Sequence, residues 1–431
     1  MMRKALHWIV VLSLLTGFIA CSKEKEEPQE EAVTAKREVI RDTLSEGPYP
    51  ALLLVHAQFE SVRGEDGKLT SKPGPAKLAL VRLTPSGWEE VVVEDYDSNV
   101  FHKALVFDPD GGGPAIITIG GTDAYLKSWR WENGEWTDTE IWHPDFGGKW
   151  NRLRDFEIGD VTGDGVPEMV IATHDQGVIG VAMKKGDIWE VLELDKNPEV
   201  FAHEIEIGDI DGDGVNEFFA TPTLPNKATF VSQPGEIVMY KWNGASFDKT
   251  VIDAFESRHA KEILVTSLSE GGEAQLFSSI EAETKEDESG TTVIVEPVKI
   301  YQYEFKNGKA EAKEIATLDS DSQCRFLTCG DLDSDGINEL VASGMKTGLW
   351  MLKQGPDGTW EKTLIDRDSS GYEHATCITD LDGDGQVEIY VAADDQNALR
   401  RYVWKDGEFE REDMLHIPDQ TITWNITACD F

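Results

Sequence analysis

Apolar and polar residues alternate over short stretches of this chain, and the stretches flank acidic loops. Phe156 and Ile158, like Ile205 and Ile207, occupy every second position ahead of such a loop, and Phe218, Phe219 and Ala220 follow one. A period of two over so few residues predicts strands with one face in a core, not helices. The connecting loop is a nine-residue segment that recurs four times: Asp160-Val-Thr162-Gly-Asp164-Gly-Val-Pro-Glu168, and counterparts beginning at Asp209, Asp331 and Asp380. Side-chain oxygens at positions 1, 3, 5 and 9 converge on one hard cation only where the backbone folds tightly, and glycine at position 6 permits the turn. Packing so many carboxylates together is self-repelling unless a cation pairs them.

The spacing of these loops predicts the architecture. Asp160 and Asp209 lie 49 residues apart, as do Asp331 and Asp380, and the gap of 122 between Asp209 and Asp331 holds one longer, degenerate copy at Lys261–Ser267. Another degenerate copy lies upstream at His102–Asp108. A second marker is independent of the acids: turns ending in glycine at Gly87, Gly134, Gly186, Gly244, Gly308, Gly358 and Gly407, several of them the Asn-Gly or Asp-Gly pairs that suit tight β-hairpins. The tail, Trp424–Asp430, reproduces the strand before a loop, and the strands that should follow it stand at the other end of the chain as Ala51–Ala57, Lys77–Leu83 and Trp88–Glu94. The expectation is an all-β, seven-bladed β-propeller with four-stranded antiparallel blades over residues 50–431, its ring closed by pairing of the C-terminal strand with the N-terminal strands.

With four D-x-[DT]-[GS]-D-G-x-x-E loops in register, the chain resembles the FG-GAP/VCBS repeat family, which includes the ligand-binding propeller of integrin α subunits and many bacterial surface and secreted proteins. The resemblance implies Ca2+ at about four structural sites. Asp160, Thr162, Asp164 and Glu168 would hold one ion, and Asp209, Asp211, Asp213 and Glu217 a second. Asp331, Asp333, Asp335 and Glu339 would hold a third, and Asp380, Asp382, Asp384 and Glu388 a fourth. Thr162 makes the first site one charge weaker. Asp108-Pro-Asp110 lacks a closing acid and Ser267 replaces a first ligand, so those two loops fall outside the set.

The first residues follow a different logic. Arg3 and Lys4 lead into the apolar run Ala5–Ala20, shorter than the about 20 residues of a membrane span, and residues 1–20 read as an export signal. The ending Gly-Phe-Ile-Ala-Cys21 resembles a bacterial lipobox, which implies lipidation of Cys21, although Phe18 stands where leucine is usual. An ordinary signal peptide cut near Ala20 is the alternative. Ser22 after the cysteine favours the outer membrane by analogy with enterobacterial sorting. Residues 21–49, rich in Glu and Lys, read as a disordered tether. A net charge of −41, from 81 acids against 40 bases, excludes nucleic acid and anionic lipid as partners, leaving membrane contact to the anchor alone. A monomer is expected. Cys324, Cys329, Cys377 and Cys429 have no framework spacing and read as buried thiols ahead of disulfides. There is no zinc motif, phosphate loop or nucleophile elbow.

In up-and-down blades the metal loops and tight hairpins share one face, while second-to-third connections and blade-to-blade links share the other. The long connections Gln58–Ala76, Pro222–Gly235 and Ala282–Pro297 and the link Trp142–Asn151 all fall on that second, upper face, where functional elaboration is expected. Six residues before each first ligand position stand His102, Arg154, His203, Lys261, Arg325, His374 and Trp424. At about 3.3 Å per residue these form a ring roughly 20 Å from the metal loops, at the top of the central channel. With His174, it is a candidate site for an anionic ligand such as a carboxylate-bearing sugar. The alternative is that these side chains cap strand ends or bridge blades. Two functions are therefore carried forward. One is a non-enzymatic surface module that binds a glycan or protein. The other is a polysaccharide lyase in which His102, His203 or His374 abstracts a proton beside a uronate carboxylate neutralised by Arg154 or Arg325, with His174-Asp175 and Asp394-Asp395 completing the pocket.

Overall fold

The computed structural model describes residues 40–41, 44–63, 69–186, 188–224, 234–306 and 309–431. The export signal, Cys21, most of the tether and Gly308 lie outside the described residues. Seven four-stranded antiparallel blades form the molecule. Their inner strands are Phe101–Phe107, Leu153–Gly159, Phe201–Gly208, Ala260–Thr266, Cys324–Gly330, Thr376–Thr379 and Thr421–Asp430, and we number blades 1–7 in that order.

Blade 7 is built from both ends of the chain, as expected. Its inner strand pairs with Pro50–Arg63 in the register Ala51↔Cys429 and Leu54↔Ile426, and Ala76–Thr84 and Gly87–Asp95 complete the sheet. Tyr49 and Phe431 exchange two backbone hydrogen bonds of 3.1 Å at the seam. The expected tether ends earlier than residue 49. Ile40–Arg41 bridge in parallel to Glu89–Glu90, and the buried Arg82 donates to the Ser45 carbonyl at 2.8 Å, so the last tether residues dock on blade 7.

The cores lie between blades. Val170, Ala172 and Val181 of blade 2, for example, pack on Ile205, Phe218 and Tyr240 of blade 3. Each fully buried aliphatic or aromatic side chain contributes about 1.5–3 kcal/mol, so neighbouring blades stabilise one another. Outer strands such as Glu135–Trp142 are largely exposed. The hairpin glycines Gly87, Gly134, Gly186, Gly244, Gly358 and Gly407 all have positive φ, as tight turns require.

One irregularity recurs. In blades 1–5 and in blade 7 the inner strand slips register by one residue near its upper end, at the ring position. Such a bulge turns a side chain that strict alternation would send into the blade core toward the channel instead.

Candidate metal centres and the central channel

Each acidic loop is organised by its first aspartate. Asp209 Oδ1 accepts the N–H of Gly212 at 2.7 Å and Oδ2 that of Gly214 at 2.9 Å, while Glu217 Oε2 accepts the N–H of Ile210 at 3.0 Å. The Oδ2 bond and the glutamate bond recur at Asp160, Asp331 and Asp380, and the Oδ1 bond to the fourth residue recurs at Asp160 and Asp380. Position 6 is Gly165, Gly214, Gly336 or Gly385, with φ between 85° and 91°. A Cβ there would meet nothing, so the demand for glycine is conformational.

Ligand oxygens converge in three of the four loops. Those of Asp380, Asp382, Asp384 and Glu388 lie within 4.8 Å of one another, as do those of Asp209, Asp211 and Glu217, and of Asp331, Asp333 and Glu339. Asp213 and Asp335 fall outside these tight groups. At Asp160 the loop closes on itself, the Thr162 hydroxyl donating to Glu168 Oε1 at 3.2 Å. Glu217 Oε1 and Glu339 Oε1 are fully buried, face their aspartates and each meet one lysine ammonium, at 2.7 Å and 2.8 Å. An all-oxygen donor set closed by a buried carboxylate suits a hard metal ion.

The chain also supplies cations of its own. Lys241 Nζ lies 2.5 Å from Asp211, 2.7 Å from Asp213 and 2.7 Å from Glu217, and Lys353 Nζ lies 2.6 Å from Asp333, 2.7 Å from Asp335 and 2.8 Å from Glu339. Arg401 pairs with Asp382 and Glu388. In the degenerate loop of blade 1, Arg130 pairs with Asp110 at 2.7 Å. In blade 2 the position equivalent to Lys241 is Met183, so the Asp160 loop has no such partner. Hydrogen bonds from Lys241 and Lys353 hold the Asp213 and Asp335 carboxyls below their usual range, whereas burial pushes Glu217, Glu339 and Glu388 up.

The ring at the channel's upper end assembles around the bulges but does not present its charges to solvent. Arg154 bonds His203 Nε2 at 2.7 Å and lies 5.3 Å over the Trp424 ring, and His102 packs edge-on to Trp424 and bonds the Leu153 carbonyl at 2.7 Å. Arg325 makes a bidentate ion pair with Glu373 beneath Tyr372, and Lys261 lies 3.5 Å from Glu281. All these cationic or imidazole side chains are at most 7% exposed, which makes the ring a plug. Burial drives the His102 and His203 pKa values well below the usual one, and lowers Lys261 to about 8.

His374 does not join the ring. It adopts φ 58° ahead of a strand that starts only at Thr376, and it bonds the Gly344 carbonyl and the Ser369 hydroxyl at 2.8 Å each, inside the seam between blades 5 and 6. His174 stacks on Phe201 beside Asp175, while Asp394 accepts both the N–H and the hydroxyl of Thr423 at 2.8 Å. These residues bridge neighbouring strands and blades. Cys324, Cys329, Cys377 and Cys429 are unpaired thiols.

Below the plug lies a cavity of about 310 Å³ whose wall includes Asp155, Glu157, Glu204, Glu206 and Glu262. Sequence reading missed this wall. Its signal is the alternation itself: the positions three and five before each loop, between the apolar core positions, face the channel. Burial raises Glu204 and Glu262 well above the usual carboxyl range and Glu206 to about 8.

No family model matches the chain, and no curated protein matches it. Among solved structures it is similar to a putative 6-phosphogluconolactonase from Bacteroides fragilis, at TM-score 0.50 and 16% identity, with 88% of this chain and 98% of that one covered. It is also similar to a protein from Lactobacillus plantarum, at TM-score 0.53 and 8% identity over 88% of this chain and 99% of that one. At these identities the likeness establishes the propeller fold alone.

Proposed function

We propose that this chain is a calcium-braced propeller of the FG-GAP/VCBS kind, exported and anchored through lipid on Cys21, that binds a glycan or a surface protein without transforming it. The observation that carries the binding role is on the upper face. Two of its long connections fold into protruding hairpins, Phe59–Arg63 with Leu69–Pro73 and Glu283–Glu286 with Thr292–Glu296, which expose Leu69, Ile294 and Val295. Exposed apolar side chains on ordered protrusions are what a recognition surface needs. The ring favours binding over lysis, because His102, His203 and His374 are buried and already engaged, so none of the three is free to act as a base.

Calcium is the brace in this reading. Extracellular sites of this type often have dissociation constants near 10⁻⁴–10⁻³ M, so each adds about 1 kcal/mol at millimolar calcium, and four together add roughly 3–5 kcal/mol. Melting the full chain in calcium and then in EGTA tests it: the expectation is a lower melting temperature in EGTA, and an unchanged curve with no bound metal would sink it. For the ligand, a glycan array probed with the wild type and with Leu69→Ser/Val295→Ser should show signals that the variant loses. Signals that survive would place the ligand elsewhere. Mass spectrometry of the mature N-terminus reads the lipid on Cys21.

A further inference from the structure

The central channel has one acidic wall and one uncharged wall. Blades 2–4 contribute Asp155, Glu157, Glu204, Glu206 and Glu262, while the inner strands of blades 5–7 contribute Phe326, Ile378 and Ile426 interleaved with Thr328, Thr376, Asn425 and Thr427. Charge within this wall does not balance. Lys103, the ammonium from blade 1, is engaged by Asp155 at 3.2 Å and by Glu157. Glu204 reaches His203 Nδ1 at 2.5 Å and Arg154 at 3.6 Å. Glu206 accepts one N–H, from Val265 at 3.2 Å. Glu262, only 8% exposed and lining the cavity, has no hydrogen-bond donor and no ion-pair partner within 4 Å among the described residues, and the cation whose charge acts on it is Lys103. A carboxyl group buried in that state is costly, and folded proteins rarely leave one without a partner.

The shape of the space narrows what the partner can be. A volume of about 310 Å³ far exceeds a metal ion, and among the described residues no three channel acids bring oxygens within 4.8 Å of one another. The opposite wall is uncharged along its inner strands, with Phe326, Ile378 and Ile426 as its apolar members. The channel is plugged above by the ring, and exposure grows toward the metal-loop face: Asp155 is buried but Glu157 half-buried, and Glu262 is buried but Leu264 and Thr266 half-buried. A guest therefore enters from the loop face with a cationic group on one side and hydrocarbon on the other.

We propose that the channel is a binding site for a small organic amine, its ammonium seated between Glu206 and Glu262 and its hydrocarbon part against Phe326 and Ile378. The groups facing this seat are Lys103, Asp155, Glu157 and Glu204 from blades 1–3, with Arg154 and Glu373 at the closed end. Cys329 and Cys377 look in from blades 5 and 6 as thiols that burial keeps neutral. With no guest bound, burial favours the protonated forms of Glu206, which titrates at about 8, and of Glu262, and an ammonium displaces those protons, so binding strengthens as pH rises.

Isothermal titration of the full chain, in saturating calcium so that the loop acids are occupied, tests this with n-pentylamine as probe and n-pentanol and magnesium as controls. The expected result is one amine site, tightened several-fold between pH 6.5 and 8.5, with no heat from either control. Glu262→Gln should weaken it by about tenfold or more, as loss of a charge-assisted bond in a buried site does. Thr328→Lys, which brings an ammonium from blade 5, should keep the fold and abolish the site. No heat from pentylamine at pH 8.5, or binding that survives Thr328→Lys or a folded Glu262→Gln, would overturn the proposal. Either failure leaves the calcium and surface-binding reading untouched.

Discussion

The loop acids and the channel acids stand within a few residues of each other on the same inner strands, yet they are opposite in character. Asp209, Asp211, Asp213 and Glu217 fall within one nine-residue segment, where Asp209, Asp213 and Glu217 receive backbone N–H groups and Lys241 pairs with Asp211, Asp213 and Glu217. Glu157, Glu206 and Glu262 come from three blades, line one cavity, and have in common the charge of Lys103, which pairs directly with Glu157. Hydrogen bonds from Lys241 and the Val215 N–H hold Asp213 below the usual carboxyl range, whereas burial drives the channel glutamates Glu206 and Glu262 toward the protonated form. The residue type is nearly the same in both places. What decides the charge state is whether the surrounding chain supplies donors and cations at that point.

The sharpest way to break this contrast is to give a channel acid's partner nothing to bind. Glu373 is the channel acid gripped on both of its oxygens, by Arg325, and the two side chains are 2% and 4% exposed. Glu373→Ala leaves a guanidinium buried and uncompensated, and should cost about 3–5 kcal/mol. Glu262→Gln removes no partner and should change stability by less than about 1 kcal/mol at pH 6. Urea midpoints of the two variants, measured side by side, read the difference. Equal losses would mean that pairing is not what separates these carboxyls.

Next in size is the dependence on pH, where the two regions pull in opposite directions. Glu206 titrates at about 8 in the folded protein against 4.5 ordinarily, and Glu262 is shifted the same way. Between those values the folded state binds more protons than the unfolded one, so this contribution is full at low pH and is lost as pH rises toward about 8. His174 and His374 behave conversely. Burial lowers each from 6.5 to about 4, so the unfolded chain takes up protons that the folded one refuses, and stability falls as pH drops from 6.5 to 4. The stability profile should therefore peak at about pH 6 and decline on both sides. Combining Glu206→Gln with Glu262→Gln should flatten the alkaline limb and leave the acid limb standing. If both limbs flatten, or neither does, the assignment of the alkaline limb to the channel fails.

This contrast also explains what the sequence could tell. Local chemistry was legible: the loops announce themselves because their acids, glycines and flanking apolar positions are adjacent in the chain, and the 49-residue spacing with the complementary ends is enough to predict a closed ring of seven blades. The ring residues were found, but not their orientation. Strict alternation does not foresee the bulge that turns Arg154, His203 and Arg325 inward, nor does it reveal that Glu373 and Glu204 are waiting there. His374 matched the pattern by position alone, and the short inner strand of blade 6 puts it in a seam. The acid wall was hidden for a different reason. Each blade contributes only one or two carboxyls to it, and no stretch of chain contains the cluster until the ring has closed.

The smallest expected effect probes whether the built-in cations and a metal ion compete for the same oxygens. Lys353 reaches Asp333, Asp335 and the fully buried Glu339, so an ion entering that loop has to displace an ammonium that is itself partly exposed. Pairs of that kind are worth about 1 kcal/mol, hence Lys353→Met should tighten calcium binding at that loop by about fivefold. The same variant should melt slightly lower in EGTA, because Glu339 Oε1 then has no cation near it at all. The Asp160 loop is the internal control, since Met183 already occupies the equivalent position and its affinity should not move. Calcium titrations of the wild type and Lys353→Met, followed by calorimetry, separate the cases. Tighter binding with a lower apo melting temperature means that lysine and ion are alternative occupants of one site. Unchanged affinity with a lower apo melting temperature means that the lysine holds the outer oxygens of the carboxylates while the ion uses the inner ones.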